Sequence, residues 1–244
     1  MIVTTEAIVL KSFDFRETSR IATFFTRDFG KVKGVLKGIR KDPRKFGSSV
    51  DRFTLNDIVY YQYRNSDIHL VSHCDMKDYY TGIRGHLKKM TAAHYAMELI
   101  DTVMPVEQQN AEIYQLLREY LITLQTAADI SKIVHMFQIK VLLMSGFRPH
   151  LESCLRCQRH ISVSARFSLK LGGLVCNSCQ DPAGETIGIS QGAVASILHV
   201  QQMPWIKASR LLLSTAIKQE MKYILNHFLV FHLDRHLRST RFLT

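Results

Sequence analysis

The sequence predicts an α+β chain in which strands come first, helices follow, and a short cysteine-bearing insert interrupts the helices. Three observations carry this reading: a hydrophobic period of two over the first 80 residues, a period of 3.6 after Thr81, and two Cys-x-x-Cys pairs in a polar stretch. At 244 residues the chain is near the upper limit for a single core, so two or three small modules are expected.

The strands are expected at residues 3–10, 21–27, 31–37, 53–63 and 68–74. Each run is short, rich in β-branched and aromatic residues, and set off by turn chemistry such as Asp28-Phe29-Gly30 and Arg64-Asn65-Ser66-Asp67. Ile21, Thr23 and Phe25 alternate, as do Ile58 and Tyr60 against Val59, Tyr61 and Tyr63. Five such strands fit a small barrel of the OB type or an open meander, and alternation alone does not choose between them.

After Thr81, apolar residues recur at helical spacing: Ala92, Ala96, Leu99 and Val103; then Ile113, Leu116, Leu117, Tyr120, Leu121 and Leu124; then Ile130, Ile133, Val134, Phe137, Val141 and Met144. Pro105 ends the first of these helices, and Gly146 with Pro149 ends the third. Met221, Ile224, Leu225, Phe228 and His232 predict a long C-terminal helix. The stripes read as core-facing.

Residues 150–183 have few large apolar side chains and cannot form a core alone. They carry Cys154-Leu155-Arg156-Cys157 and Cys176-Asn177-Ser178-Cys179, two knuckles separated by 18 residues, a spacing that suits a zinc site. A hairpin returning near Gly172-Gly173 would bring four thiolates round one ion and leave no position open for water, so the site reads as one structural Zn2+. Arg156, Arg159, Arg166 and Lys170 offset the charge of the thiolates or contact a polyanion. Two disulfides or an iron centre are the alternatives. Cys74, ending a predicted strand, reads as an inert buried thiol.

Hydrophobic residues make up 46% of the chain and charged residues 22%, with a net charge of +11. That excludes a disordered or acidic protein and makes a polyanion the expected partner. Residues 27–52 hold nine bases against three acids, and Lys37 to Gly47 mix Gly and Pro with cations, the pattern of a loop that follows phosphates without choosing bases. Most nearby phenylalanines read as core, while Phe15 and Phe46, flanked by charge, are the stacking candidates. No Walker, G-x-G-x-x-G, G-x-S-x-G or H-E-x-x-H motif occurs, so no enzymatic activity is expected. His69 and His73 read as satisfied or solvated imidazoles, and Asp51, Asp57, Asp67, Asp75 and Asp78 as turn-capping acids rather than a nuclease Mg2+ site. Met1 to Glu6 lack a basic leader region and no run is long enough to span a bilayer, so an intracellular, membrane-free protein is expected.

Several segments, in order, resemble the RecO family of bacterial recombinational DNA-repair proteins. They are Ala7-Ile8-Val9-Leu10-Lys11-Ser12 with Glu17-Thr18-Ser19-Arg20; Gly30-Lys31 with Lys37-Gly38-Ile39-Arg40-Lys41; Ser145-Gly146-Phe147-Arg148-Pro149-His150-Leu151; Gly172-Gly173-Leu174-Val175-Cys176; and the terminal Leu237-Arg238-Ser239-Thr240-Arg241-Phe242-Leu243. The resemblance implies an OB-fold at residues 1–80, a helical domain at 81–149 and 184–244, and a zinc insert at 150–183. It further implies a cytoplasmic, nucleoid-associated recombination mediator that binds single- and double-stranded DNA, anneals complementary strands and, with RecR, helps load RecA onto DNA coated by single-strand-binding protein. DNA contacts are expected at Arg20, Lys31, Lys33, Lys37, Arg40, Lys41, Arg44 and Lys45, and zinc ligands at Cys154, Cys157, Cys176 and Cys179. The tail of single-strand-binding protein is expected at Lys132, Phe137 and Lys140, although His135 and Met136 stand where relatives often carry Arg. Neither a membrane nor a small-molecule substrate is expected. The rival reading is a zinc-containing regulator that prefers one duplex sequence.

Overall fold

The computed structural model describes residues 1–42, 46–47, 50–161, 165–179, 186–233 and 236–243. The chain divides into two compact units, Met1–Ala127 with Phe242–Thr244, and Ala128–Arg241.

The first unit begins with five strands, β1 (Ile2–Phe15), β2 (Ser19–Thr26), β3 (Gly30–Leu36), β4 (Leu55–Tyr61) and β5 (His69–Asp78). They close as a barrel in the order β1-β2-β3-β5-β4. All neighbours are antiparallel except β3 and β5, which are parallel. This is the OB arrangement, and it settles the choice between barrel and meander. β1 runs farther than the sequence predicts because a register shift between Val9 and Lys11 bends it, so that its first half pairs with β4 and its second with β2.

Val9, Ala22, Phe24, Val32, Leu36, Ile58 and Tyr60 fill the barrel. The opposite face of β1 and β2 is covered too: Ile8, Leu10, Ile21 and Phe25 are buried, and Phe25 meets Tyr114 at 5.9 Å between ring centroids. That explains the unbroken run Ala7-Ile8-Val9-Leu10, since a strand buried on both sides has no reason to alternate. The covering elements are α1 (Thr81–Arg84), α2 (Leu87–Val103) and α3 (Ala111–Thr126). α3 starts at Asn110, whose side chain accepts the Ile113 N–H at 2.9 Å.

The link between α2 and α3 has a structural task. β3 and β5 pair only at Gly34–His69 and Val35–Leu70, which leaves the first half of β3 without a strand on that side among the described residues. Val106 fills the seam with a parallel bridge to Lys31, and the Glu107 N–H donates to the Lys31 carbonyl at 3.0 Å. Gly30, at φ +67°, permits the approach; a Cβ there would lie 2.1 Å from the Gln108 carbonyl oxygen.

The second unit contains α4 (Ile130–Met144), then β6 (Ala165–Ser168), β7 (Gly173–Cys176) and β8 (Thr186–Ile189), then α5 (Gln191–Gln202), α6 (Trp205–Ala208) and α7 (Thr215–Leu233). The three strands form an antiparallel sheet in the order β7-β6-β8. β8 was not expected and carries the insert's sheet past residue 183. The insert borrows its packing: Phe167 sits edge-on against Phe228 of α7 at 5.7 Å. α5 is capped by Ser190, which accepts the Ala193 N–H at 3.1 Å. No helix among the described residues is long and apolar enough to cross a membrane.

Candidate nucleic-acid interface and cysteine cluster

The four cysteines of the insert meet as the spacing predicts. Cys154 and Cys157 lie on a turn closed by the Gln158 N–H on the Cys154 carbonyl at 2.8 Å, with Gln158 itself at φ 60°. Cys176 ends β7, and Cys179 closes the 3-10 turn Asn177–Cys179. The knuckles are drawn together by Leu155 N–H on the Leu174 carbonyl at 2.9 Å, and by Gly173, where a Cβ would stand 2.3 Å from the His150 carbonyl oxygen.

All four sulfurs lie within 4.8 Å of one another. The 3.8 Å between Cys157 and Cys176 matches the edge of a tetrahedron with Zn–S bonds of about 2.3 Å, which is about 3.8 Å. The Cys176 N–H points at the Cys154 sulfur at 3.4 Å. Burial pushes the Cys154 thiol up, but the backbone N–H groups of Cys157, Cys176 and Arg156 outweigh it and bring the pKa down to about 6. Cys179 moves the other way, to about 12, because hydrogen bonds with Cys176 and Cys157 hold it as a thiol and burial adds to the effect. One thiolate thus forms readily and obstructs the next, a conflict that a divalent cation at the centre removes. The donor set fits zinc and leaves no ligand position for water. The insert's cations divide: Arg166 is tied to the Thr186 hydroxyl at 2.7 Å and its carbonyl at 2.9 Å, whereas Arg159 and Lys170 are exposed.

The second concentration of chemistry is one end of the barrel. Arg20 pairs with Leu36 across β2 and β3, so Lys37 leaves the sheet beside the β1–β2 turn. The chain then folds back: Arg40 N–H donates to the Thr18 carbonyl at 3.0 Å and its guanidinium to the Arg16 carbonyl at 3.2 Å. Asp14 accepts Arg20 Nε at 2.9 Å and lies 3.4 Å from Arg40 Nε. The hydrogen bond from Arg20, helped by the charges of Arg40 and Arg20, holds its carboxyl below the usual range. Arg16, Arg20, Lys37, Arg40 and Lys41 therefore share one end, and Lys37 and Lys41 are exposed and carry no ion pair among the described residues.

Other expected DNA contacts fall differently. Lys33 is half-buried on β3. Lys31 faces α2, where its ammonium donates to the Asp101 carbonyl at 2.6 Å and lies 3.3 Å from the Asp101 carboxylate, leaving little charge for a phosphate. Arg44 and Lys45 lie outside the described residues. Phe46 corrects the stacking expectation: flanking charge suggested a surface ring, but it is 2% exposed within the barrel core. Phe15 is half-buried with the Arg16 guanidinium 5.2 Å above its ring, and Phe13 is exposed. Arg16, which the sequence reading did not single out, is exposed on the same turn at φ 53°, between Phe15 and Glu17.

The residues of α4 expected to meet the partner tail are mostly interior. Phe137 is fully buried, and Lys140 is buried with its ammonium on the Gln201 carbonyl at 3.0 Å, so only Lys132 reaches the surface. His135 and Met136 are interior as well. Asp57 and Asp75 lie in strands β4 and β5 and not in the turns that the sequence suggests for them. Cys74 is buried; His69 accepts the Tyr63 N–H and faces Glu107 at 2.9 Å; His73 is exposed beside Asp75; Asp57 binds Lys77; Asp78 accepts the Tyr80 N–H.

A closed OB barrel with a cationic end, followed by a helical unit bearing a four-cysteine clamp, defines the class: an OB-fold protein with a zinc-type cysteine site. Residues 84–241 match the family described as Recombination protein O C terminal, and residues 1–80 match Recombination protein O N terminal. The chain belongs to the RecO family of DNA repair and recombination proteins. It is 29% identical over 240 residues to DNA repair protein RecO of Moorella thermoacetica, covering 98% of this chain and 89% of that one. It is 27% identical to the RecO of Syntrophus aciditrophicus, with 98% and 94% covered, and 28% identical to that of Alkaliphilus metalliredigens, with 96% and 95% covered.

Proposed function

We propose that this protein is a non-catalytic recombination mediator. It binds single- and double-stranded DNA, anneals complementary strands and, with RecR, helps load RecA onto DNA coated by single-strand-binding protein. The observation that supports this most is the convergence of Arg16, Arg20, Lys37, Arg40 and Lys41 on one end of an OB barrel beside Phe13 and Phe15. Two complementary strands repel, and a cationic surface lowers that repulsion by replacing condensed counterions while the bases stay free to pair. Phe15 and Phe13 offer faces on which unpaired bases stack.

In this reading Arg44 and Lys45 extend the same contact, Lys33 borders it, and Lys31 is structural. Cys154, Cys157, Cys176 and Cys179 hold one Zn2+, which orders the insert and takes no part in the annealing step. The protein works in the bacterial cytoplasm at the nucleoid.

The test is annealing of complementary oligonucleotides coated with single-strand-binding protein, without ATP. Acceleration that needs no nucleotide supports the mediator. Tight binding to one preferred duplex with no acceleration supports the regulator, and Mg2+-dependent loss of oligonucleotide a nuclease; either result overturns the proposal.

A further inference from the structure

A cluster that the barrel-end reading does not use lies in the first unit, where the chain entering β4 passes the junction of α1 and α2. Arg84, the last residue of α1, rests against two rings: its guanidinium carbon is 3.7 Å from the centre of Tyr79 and 4.3 Å from that of Phe53. Phe53 in turn meets the His94 ring edge-on at 5.3 Å. Arg84 is also held in its own plane, with Nε donating to the Tyr79 carbonyl at 2.8 Å and one terminal nitrogen to the Arg52 carbonyl at 3.0 Å. A guanidinium held on its faces and along one edge is fixed before any ligand arrives.

The backbone around it is held as firmly. Phe53 and Tyr80 sit at φ 52° and 50°, in the left-handed region that residues other than glycine rarely adopt. The Phe53 N–H on the Val9 carbonyl at 2.8 Å and the Tyr80 N–H on the Asp78 carboxylate at 2.7 Å keep them there. Strain of this kind collects at ligand clamps.

What the cluster lacks is a counter-charge. Two of the five Arg84 N–H groups go to carbonyls, which leaves three. Neither Arg84 nor the exposed Arg52 forms an ion pair among the described residues. The undescribed residues nearest Arg52 in sequence, Pro43, Arg44, Lys45, Ser48 and Ser49, include no acid. Both charges are felt at one ring: burial lowers the pKa of His94, and the positive charges of Arg52 and Arg84 lower it further. One guanidinium fork satisfies a carboxylate, whereas two guanidinium groups without an acid suit a tetrahedral oxyanion, which has oxygens for both.

We propose that Arg52 and Arg84 form a phosphate-binding site. Arg52 precedes Phe53, which pairs with Val9, and Arg40 reaches Asp14 farther along the same strand. That stretch of β1 spans at most about 17 Å, about five base steps at roughly 3.4 Å each. A backbone phosphodiester of a bound strand is therefore the source that the mediator reading supplies, and to that extent the proposal rests on it. A free phosphate monoester offers the same chemistry.

The test uses the full-length protein and two probes, a single-stranded oligonucleotide and inorganic phosphate. Arg52→Gln and Arg84→Met should each lower the slope of log K for the oligonucleotide against log salt by about 1, and its affinity at low salt about tenfold. In the parent protein, the His94 ring resonances should titrate at higher pH once a probe is bound, because the phosphate offsets the two charges. Movement by the oligonucleotide assigns the site to the nucleic-acid backbone, and movement by inorganic phosphate alone to a free phosphate. A His94 titration that neither probe moves overturns the site, even if the slopes fall, since the cations would then act only at long range. Binding of the oligonucleotide with unchanged slopes in both variants overturns the backbone assignment and leaves the mediator reading standing. An oligonucleotide that does not bind at all overturns the mediator reading, and the inorganic phosphate arm then decides the site by itself. If Arg84→Met does not fold, Arg52→Gln decides, because Arg52 enters the packing through its carbonyl and not its side chain.

Discussion

The barrel and the cysteine insert reach order by opposite routes. The barrel has an apolar interior in which Phe24, Tyr60, Ile58 and Leu36 exclude water, and its buried charges are met by partners: Lys31 by Asp101, and Glu6 by Tyr114, Arg118 and Lys77. The insert has three four-residue strands, a few apolar side chains leaning on α7, and four sulfurs aimed at one point. The first kind of order depends on area removed from water and the second on a ligand set. With the proposed zinc in place, the difference teaches that one chain carries two stabilities, one sensitive to core volume and the other to metal supply.

The strongest way to break the comparison is chelation. Structural zinc contributes about 10–16 kcal/mol of apparent binding energy in small metal-ordered peptides. Removing it with a strong chelator, or Cys157→Ser, should abolish hydrogen-exchange protection at β6 and β7 while strands β1 to β5 keep theirs. Loss of protection in both regions would show that the barrel depends on the metal as well.

The converse is a core truncation. Phe24→Ala leaves a cavity at a fully buried position and should cost the first unit about 3–5 kcal/mol, read from denaturant melts, with zinc content unchanged. Between these extremes stands a buried group in the second unit that is neither apolar nor metal-bound. Burial holds His135 at a pKa of about 4, with the charges of Lys222 and Lys218 acting the same way and that of Asp129 opposing. Its Nε2 lies 3.3 Å from the Ser131 hydroxyl, and a hydrogen bond with the Gln138 side chain also opposes the shift. Because the folded pKa is lower than the unfolded one, the unfolded state takes the proton first. The contribution is full above about pH 6.5 and is lost as pH falls toward 4, by at most about 3 kcal/mol. His135→Leu should flatten that acid limb of the second unit's melting curve. The smallest effect lies at the barrel surface: Lys37→Ala and Lys41→Ala should each reduce the slope of log K for DNA against log salt by about 1, with folding unchanged.

Much of this was legible in the residues. The Cys-x-x-Cys pairs named their own geometry, because two intervening residues form a turn whatever surrounds it. The five strands and the long helices followed from period, but β8 and α5 did not. Thr186-Ile187-Gly188-Ile189 is too short to show alternation, and the helix after it mixes small and polar residues with its apolar ones. The binding end was legible as charge and not as placement. Lys31 and Lys37 read alike in sequence, and only the packing of α2 over β3 separates a lysine held by Asp101 from one exposed to solvent. Phe46 turned inward for the same reason, since local charge says little about which way a loop ring turns.

The bridge between Val106 and Lys31 bears on how the gene can be cut. A fragment ending at residue 80, where the N-terminal family match stops, retains all five strands but gives up the segment that closes the seam between β3 and β5. Its exposed β3 edge would present free backbone donors and acceptors to any neighbouring chain, an invitation to strand exchange and precipitation. The smallest independently soluble piece of this protein should therefore end after α3, so that the barrel carries its own closing strap.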